Sequence, residues 1–230
     1  MRITKAGAGI AAVALAALAG CGTRATEGQL SSGELQGRWW TWASTEPAPT
    51  NPVADQDGSA CELNQPEDVW FLAGTFGTRA ERACTVPDGV PLAFPLVNMI
   101  GTPADCAAFM STAEGSAVLD GEEVDADARQ AETIEVRSGV GNPLTGTDGS
   151  FTAHGCGLWV QLPALEAGEH TLEIRGRSGG FSVGVDYTLT VDAVRTAGGS
   201  VRDPPGAVGL RPRAGCSGWR GRNCPGRRCA

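Results

Sequence analysis

The segment 55–74, DQDGSACELNQPEDVWFLAG, gathers carboxylates, amides and a cysteine within one stretch of the chain. Asp55 and Asp57 open it as D-x-D-G, and carboxylate oxygens are ligands that calcium prefers. The complete EF-hand pattern, which adds further acids and a glutamate after the glycine, is absent. The segment is therefore either a calcium site at Asp55 and Asp57 or a solvated turn held in place by Cys61. Further oxygen donors nearby are Asn51, Glu62 and Asp68.

The turn interpretation also assigns roles to the rest of this segment. Asn64 and Gln65 would satisfy backbone groups where the loop enters a strand, because amide side chains can mimic the backbone. Trp70, Phe71 and Leu72 would then belong to the core. No other motif in the chain implies a cofactor.

Three tryptophans in RWWTWA, residues 38–43, could bind sugars, since flat aromatic faces stack on sugar rings. If this segment is a strand, Trp40 and Trp42 share one face and Trp39 lies on the other. Core packing is the alternative, because one of the two faces must be buried.

Four cysteines lie in the central part of the chain: Cys61, Cys84, Cys106 and Cys156. Exported proteins meet an oxidising environment, and four cysteines allow three connectivities. We favour Cys61–Cys84 with Cys106–Cys156, because the nested and crossed arrangements join more distant segments. The rival interpretation is a reactive Cys156 beside His154, which requires a thiol that escapes pairing.

Catalytic motifs are scarce. His154 and His170 are the two histidines of the chain, and His170 alternates onto the same strand face as Leu172 in EHTLEI. No G-x-S-x-G elbow precedes a helix, no HExxH occurs, and no phosphate loop follows a strand. Adjacent acids such as Glu122 and Glu123 lie in DGEEVDAD, which is typical of a solvated turn. A secreted hydrolase that uses carboxylates is therefore an alternative and not the leading hypothesis.

The first twenty residues predict export. Arg2 and Lys5 precede an apolar stretch, residues 10–19, that is shorter than the about 20 residues needed to span a bilayer. The stretch ends in LAGC, which resembles the lipobox of bacterial lipoproteins. That resemblance implies cleavage after residue 20 and acylation of Cys21, which would anchor the protein outside the cytoplasm in the cell membrane. A cleavable signal with an incidental cysteine is the alternative.

Charge is distributed unevenly along the chain. Residues 21–194 carry 25 acidic residues, 8 arginines and no lysine, whereas residues 195–230 have a net charge of +7. Such an acidic body makes nucleic acid an improbable partner for the folded part. The polar segment 21–38 has few apolar anchors and predicts a flexible tether.

The end of the chain, residues 194–230, is rich in arginine, glycine and proline and shows no hydrophobic period. This composition predicts a disordered tail. A basic arm for acidic wall polymers or phospholipid and an altered reading frame are the alternatives. The three tail cysteines lack the spacing of a zinc site.

The body, residues 39–193, has the length of one domain. Short apolar or alternating runs separated by glycine and proline turns predict an all-β fold, an antiparallel β-sandwich. Pro95 interrupts one run and indicates an edge or a bulge. One short helix is expected after Asp105, ending at Gly115. The predicted strands are 68–76, 91–100, 132–138, 157–163, 169–176 and 181–191.

The segments NPVADQDGSACELNQPEDVWFLAGTFG, RACTVPDGVPLAFPLVN, VLDGEEV and LPALEAGEHTLEIRG together resemble a family of exported, β-rich bacterial proteins without an assigned activity. The resemblance covers most of 39–191 and leaves out the tail. Separately, LPALEAGEHTLEIRG followed by YTLTV is similar to the closing hairpin of immunoglobulin-like sandwiches, a likeness of fold alone.

The sequence therefore predicts a lipid-anchored protein that acts as a binding module at the cell envelope, with a polysaccharide or a protein as its ligand. The alternatives are the carboxylate-dependent hydrolase and a purely structural envelope protein.

Overall fold

The computed structural model describes residues 29–192, and the lipobox, Cys21 and the arginine-rich tail lie outside this range. The described chain is mostly β, with 47% of its residues in strands and 14% in helices. Its strands form two sheets. The predicted all-β sandwich is therefore confirmed.

Two α-helices and nine strands follow one another along the described part of the chain. The helices are α1 (Ser32–Ala43) and α2 (Pro103–Met110), and a short 3-10 turn covers Ala48–Thr50. The strands are β1 (Trp70–Phe71), β2 (Arg79–Val86), β3 (Leu92–Gly101), β4 (Glu114–Leu119), β5 (Glu122–Val124), β6 (Asp127–Ser138), β7 (Gly149–Leu162), β8 (Gly168–Ser178) and β9 (Phe181–Val191).

Sheet A has the strand order β1-β3-β7-β6, and sheet B has the order β2-β9-β8-β4-β5. Most neighbours are antiparallel, including the closing hairpin of β8 and β9. Two pairs, β1 with β3 and β2 with β9, are parallel. The closing hairpin is present as expected, while the wider likeness to an immunoglobulin-like fold stays a prediction.

Two cores hold the layers together. Phe94 and Leu96 of sheet A face Leu172, Ile174 and Leu189 of sheet B, and all five side chains are at most 1% exposed. Because side chains alternate across a strand, the other face of sheet A carries a second apolar set. Helix α1 covers that face, so sheet A is buried on both sides.

The helix α1 corrects two sequence predictions: the strand over 38–43 and the described part, 29–38, of the tether predicted over 21–38, whose other residues lie outside the described range. Ser31 accepts a hydrogen bond from the Glu34 backbone N–H, and the Glu34 carboxylate accepts one from the Ser31 backbone N–H, which is a capping box. Behind this cap, Leu35, Trp39 and Trp42 recur at helical spacing and are buried. The folded domain therefore begins before residue 39.

Glycines allow α1 to lie close to β6. A Cβ at Gly37 would be 3.2 Å from the Glu135 carbonyl oxygen, and one at Gly33 would be 4.0 Å from that of Thr133. Four helical residues rise about 6 Å and two strand residues about 6.7 Å, so the helix and the strand stay in step. The Arg137 backbone N–H continues the series by donating to the Thr41 hydroxyl.

Several element boundaries differ from the predictions. The run 68–76 contains only the two-residue strand β1, which pairs with the start of β3. Helix α2 is capped by Thr102 and ends at Met110, and Asp105 is the third residue of its capping box. Pro95 lies at a bulge, as predicted, although its strand is central. Strand β2 was not predicted, because its inward positions include the small Ala80 and the charged Arg82.

The described chain enters and leaves the sandwich at the same end, which we call the base. Strand β9 ends there at Val191, opposite Gly168 of β8. The Leu30 backbone N–H donates to the Gln161 side chain, and the Gln161 amide donates back to the Leu30 carbonyl, at 2.8 and 3.1 Å. We call the opposite end, where β2 begins at Arg79 and β9 at Phe181, the tip.

Candidate functional site

The three tryptophans proposed as a sugar platform are core residues, so that prediction is wrong. Trp39, Trp40 and Trp42 are 2%, 8% and 4% exposed. They lie on a helix and pack with Trp159 of sheet A, whose ring is 5.7 Å from that of Trp39 in an edge-to-face arrangement. The indole N–H of Trp39 donates to the Leu72 carbonyl at 2.9 Å. Packing against sheet A leaves no aromatic face for a ligand here.

The carboxylate of Asp55, one of the two proposed calcium ligands, is occupied by its own loop. Its two oxygens accept hydrogen bonds from the backbone N–H groups of Asp57, Gly58 and Ala60 at 3.2 Å each. The Asp57 carboxylate accepts one from the Ser59 N–H, which lowers the pKa of Asp57. Within residues 29–192, no three Asp, Glu, His or Cys side chains converge to hold a metal ion. The geometry is that of a turn with aspartate caps.

This loop is fixed to strand β2 at several points. The predicted Cys61–Cys84 disulfide joins them, with 5.9 Å between the Cα atoms. The Ala83 backbone N–H donates to the Asp57 carbonyl at 3.0 Å. Gly58 has φ = 99°, and a Cβ there would overlap the Ala83 backbone, so only glycine fits. The loop thus covers the free edge of β2, which protects it from pairing with another chain.

The amides that follow the loop behave partly as predicted. The Gln65 side chain donates to the Phe71 carbonyl at 2.8 Å and accepts from the Phe71 N–H at 2.9 Å, as a neighbouring strand would. Asn64 donates to the Glu46 carboxylate instead of satisfying the backbone.

Arg82 is a buried charge at the centre of this region, with 3% of its surface exposed. Its guanidinium donates to the carbonyls of Asp55, Ala73 and Gly74 at 2.7–3.1 Å. It also donates to the Tyr187 hydroxyl at 2.7 Å. Each of these partners is a neutral oxygen, so Arg82 joins the loop, the segment after β1 and strand β9 without a carboxylate contact.

The second predicted disulfide, Cys106–Cys156, ties α2 to β7, with 5.8 Å between the Cα atoms. The proposed reactive Cys156 is therefore not a free thiol. His154 lies near the Thr133 hydroxyl, at 3.4 Å from its ring nitrogen.

His170 is a satisfied histidine, as expected. Its Nδ1 lies 2.7 Å from the Asp120 carboxylate and its Nε2 lies 2.8 Å from the Glu166 carbonyl oxygen. Both partners are acceptors, and they raise the pKa of His170 because the imidazolium donates to both. The same contact lowers the pKa of Asp120. This pair braces the turn after β4 against the start of β8.

The outer face of sheet B carries a further candidate surface. At the tip of this face lies a groove of about 610 Å³, which is within the size range of small-ligand sites. We call it the arginine groove. It is lined by Gly77, Thr78, Arg79, Glu114, Gly115, Ser116, Arg175, Gly176, Arg177, Ser182, Val183 and Gly184.

Three of the seven arginines between residues 29 and 192 line this groove. Arg175 pairs with Asp186 at 2.5 Å, and Arg177 pairs with Glu114 at 2.5 Å. Arg79 has no ion pair among the described residues. The groove therefore presents one uncompensated positive charge on an otherwise acidic body.

The floor of the groove is flat because it contains glycine. Arg79 lies across Gly184, where a Cβ would be 3.1 Å from the Arg79 Cγ and 3.4 Å from its Nε. Phe181 is 38% exposed at the tip and packs over Gly77, where a Cβ would be 3.3 Å from the phenyl ring. The neighbouring Phe76 is 46% exposed. The groove thus combines hydroxyl and guanidinium groups, and the Phe181 ring lies against its lining residue Gly77.

A row of acids adjoins the groove on the same face. Glu81, Asp186 and Glu173 are direct cross-strand neighbours on β2, β9 and β8. The Cβ atoms of adjacent members, Glu81 with Asp186 and Asp186 with Glu173, are therefore about 5 Å apart. Arg175 contacts Asp186 and lies 3.4 Å from Glu173. We call these three residues the acid row.

Sequence analysis did not find the arginine groove. Its residues come from β2, β4, β8 and β9 and meet only through strand pairing. One signal was available: Arg175 alternates outward in the predicted strand 169–176 and Arg177 directly follows that strand, in a body that has few basic residues.

Within residues 29–192, neither helix has the length and apolar character needed to cross a bilayer. Comparison of the chain with protein-family models, curated proteins and solved structures found no match.

Proposed function

We propose that this protein is a lipid-anchored, extracytoplasmic binding module of the cell envelope, and that the arginine groove binds a polysaccharide. The observation that carries the proposal is the composition of the groove, in which Arg79, Ser116 and Ser182 lie on a glycine floor, while the exposed Phe181 ring at the tip packs on the lining residue Gly77. An aromatic ring packs on the apolar face of a sugar, while hydroxyl and guanidinium groups hydrogen-bond its oxygens.

The position of the groove supports this role. The described chain starts at the base, and the groove lies at the tip, separated from the base by the length of β9. An acyl anchor on Cys21 would therefore leave the groove facing away from the membrane. Two or more acyl chains are needed for stable anchoring, and lipoprotein processing supplies them.

The binding experiment compares Phe181→Ala with Val140→Ala in the full-length protein on a glycan array. Val140 is 78% exposed and lies between β6 and β7 of sheet A, so its variant removes exposed apolar surface away from the groove. We expect Phe181→Ala to lose binding at least tenfold and Val140→Ala to retain it. Equal binding by the two variants would contradict the assignment of the groove.

The anchor is tested by comparing Cys21→Ala with Cys216→Ala, which removes a tail cysteine as a control. We expect only Cys21→Ala to lose membrane partitioning or fail to mature. Unchanged partitioning, with no acylated peptide in the mass spectrum, would refute lipidation.

The acid row favours a second candidate function, a carboxylate-dependent hydrolase. Closely spaced carboxylates flank the scissile bond in glycosidases. If this function is correct, the protein releases reducing ends from a glycan that it binds, and Glu81→Gln abolishes the release. If the protein binds a glycan and the glycan stays intact, the result would contradict the hydrolase and support a binding function without catalysis. An array without any hit would favour a protein ligand or a purely structural role.

A further inference from the structure

We infer that the arginine groove selects a sugar that carries a carboxylate, and that Arg79 is the residue that recognises it. This inference rests on the proposed polysaccharide binding and names the class of sugar. Oligosaccharides of hexuronic acid are the simplest ligands with this chemistry.

Charge distinguishes Arg79 from the other arginines of the groove. The other two arginines of the groove are neutralised by partners, Arg175 by Asp186 and Arg177 by Glu114. Arg79 is exposed and lacks an ionic partner in the part of the chain that the structure describes. A neutral sugar would leave this guanidinium uncompensated, whereas one carboxylate would neutralise it through two parallel hydrogen bonds.

The second step concerns how Arg79 is held. Its Cγ and Nε lie over Gly184, and a Cβ at residue 184 would crowd both atoms. The stem of the side chain therefore lies over the floor of the groove, with its guanidinium exposed. An arginine that is already positioned loses less side-chain entropy when it binds a ligand.

The third step concerns the ring of the sugar. The Phe181 ring lies at the tip against Gly77, a lining residue of the groove two positions before Arg79. A pyranose ring that packs on Phe181 can thus be part of a chain whose charged group reaches Arg79. A polymer of glycerol phosphate also carries one charge per unit, but it has no ring to pack on Phe181. The aromatic side chain therefore favours the uronic acid.

The test uses isothermal titration of the full-length protein with three probes. These are an oligogalacturonide, the same oligosaccharide after chemical reduction of its carboxylates, and a glycerol phosphate oligomer of similar length. Arg79→Met removes the charge in the groove. Arg137→Met is the matched control, because it removes an exposed arginine from β6 of the other sheet.

We expect the oligogalacturonide to bind at least tenfold more tightly than its reduced form. Arg79→Met should weaken the oligogalacturonide tenfold or more and leave the reduced form unchanged, while Arg137→Met changes neither. Equal binding of the charged and reduced sugars would overturn the inference and leave polysaccharide binding intact. Tighter binding of glycerol phosphate would also overturn it. Failure of both sugars to bind would overturn the inference together with the proposed function.

Discussion

Replacing Arg82 by methionine removes the one charged side chain that joins three segments of the interior. Methionine keeps an unbranched stem that ends at the position of the arginine Nε, and it donates no hydrogen bond. The carbonyls of Asp55 and Gly74 lose their guanidinium donor, while that of Ala73 keeps the Tyr187 hydroxyl at 2.7 Å. The Tyr187 hydroxyl loses a donor as well.

The magnitude follows from these losses. A buried polar group left without a partner costs about 1–3 kcal/mol. The loss of the donor to two carbonyls, and of one of the hydrogen bonds of the Tyr187 hydroxyl, should thus cost about 3–6 kcal/mol. Part of this cost is offset, because the variant no longer has to desolvate a buried guanidinium. The expected loss in the free energy of unfolding is about 3–4 kcal/mol. For a domain of this size, that loss lowers Tm by about 10 °C.

Urea denaturation of the wild type, Arg82→Met and Arg79→Met measures the effect. Arg79 lies on the same strand as Arg82 and points to the opposite face, so its variant is the matched control. We expect the control to change the free energy of unfolding by less than about 0.5 kcal/mol. If Arg82→Met lowers the free energy of unfolding by less than about 1 kcal/mol, the reasoning is refuted. Such a result would mean that water or other donors satisfy the carbonyls that Arg82 no longer contacts.

Three further predictions concern the cap of α1, the histidine pair and a disulfide. Ser31→Ala should lower the free energy of unfolding by about 1 kcal/mol, because the N-cap is lost; an unchanged urea midpoint would show that α1 does not need its cap. The raised pKa of His170 means that its stabilising contribution is present below its unfolded pKa of about 6.5 and is lost as the pH rises through the folded value. His170→Gln should therefore destabilise the protein more at pH 5.5 than at pH 8.5, and a difference independent of pH would contradict the imidazolium contacts. Replacing both Cys106 and Cys156 by alanine opens a loop of 50 residues and should cost about 3–4 kcal/mol, measured by thermal unfolding, whereas a cost near zero would show that packing alone holds α2.

The sequence allowed the fold class, six strand regions, the bulge at Pro95 and both disulfides to be predicted, because these depend on local alternation, turn residues and cysteine spacing. It also contained the signal for α1, a capping box at Ser31 followed by buried residues at helical spacing. That signal was missed because tryptophan favours strands and Gly33 and Gly37 disfavour helices. Here tertiary packing of Leu35 and the tryptophans outweighs intrinsic propensity.

Strand β2 and the arginine groove could not be found in the same way. The inward positions of β2 include Arg82, whose burial becomes favourable only when distant carbonyls surround it. The groove depends on the register that places Arg79 opposite Gly184 and Arg175 opposite that same glycine. Strand order in a sheet is a long-range property, and a local pattern does not specify it.

If the protein is anchored at Cys21 as proposed, the placement of the base and the tip limits how far from the membrane the arginine groove can reach. From Cys21 to Leu30 the chain can extend at most about 30 Å, and the length of β9 from base to tip adds about 33 Å. With the anchor proposed at Cys21, the arginine groove therefore reaches no farther than about 65 Å above the bilayer surface. Under this proposal the ligand would lie in the innermost layer of the envelope, and a polymer confined to the outer surface of a thick wall would be beyond the reach of the groove.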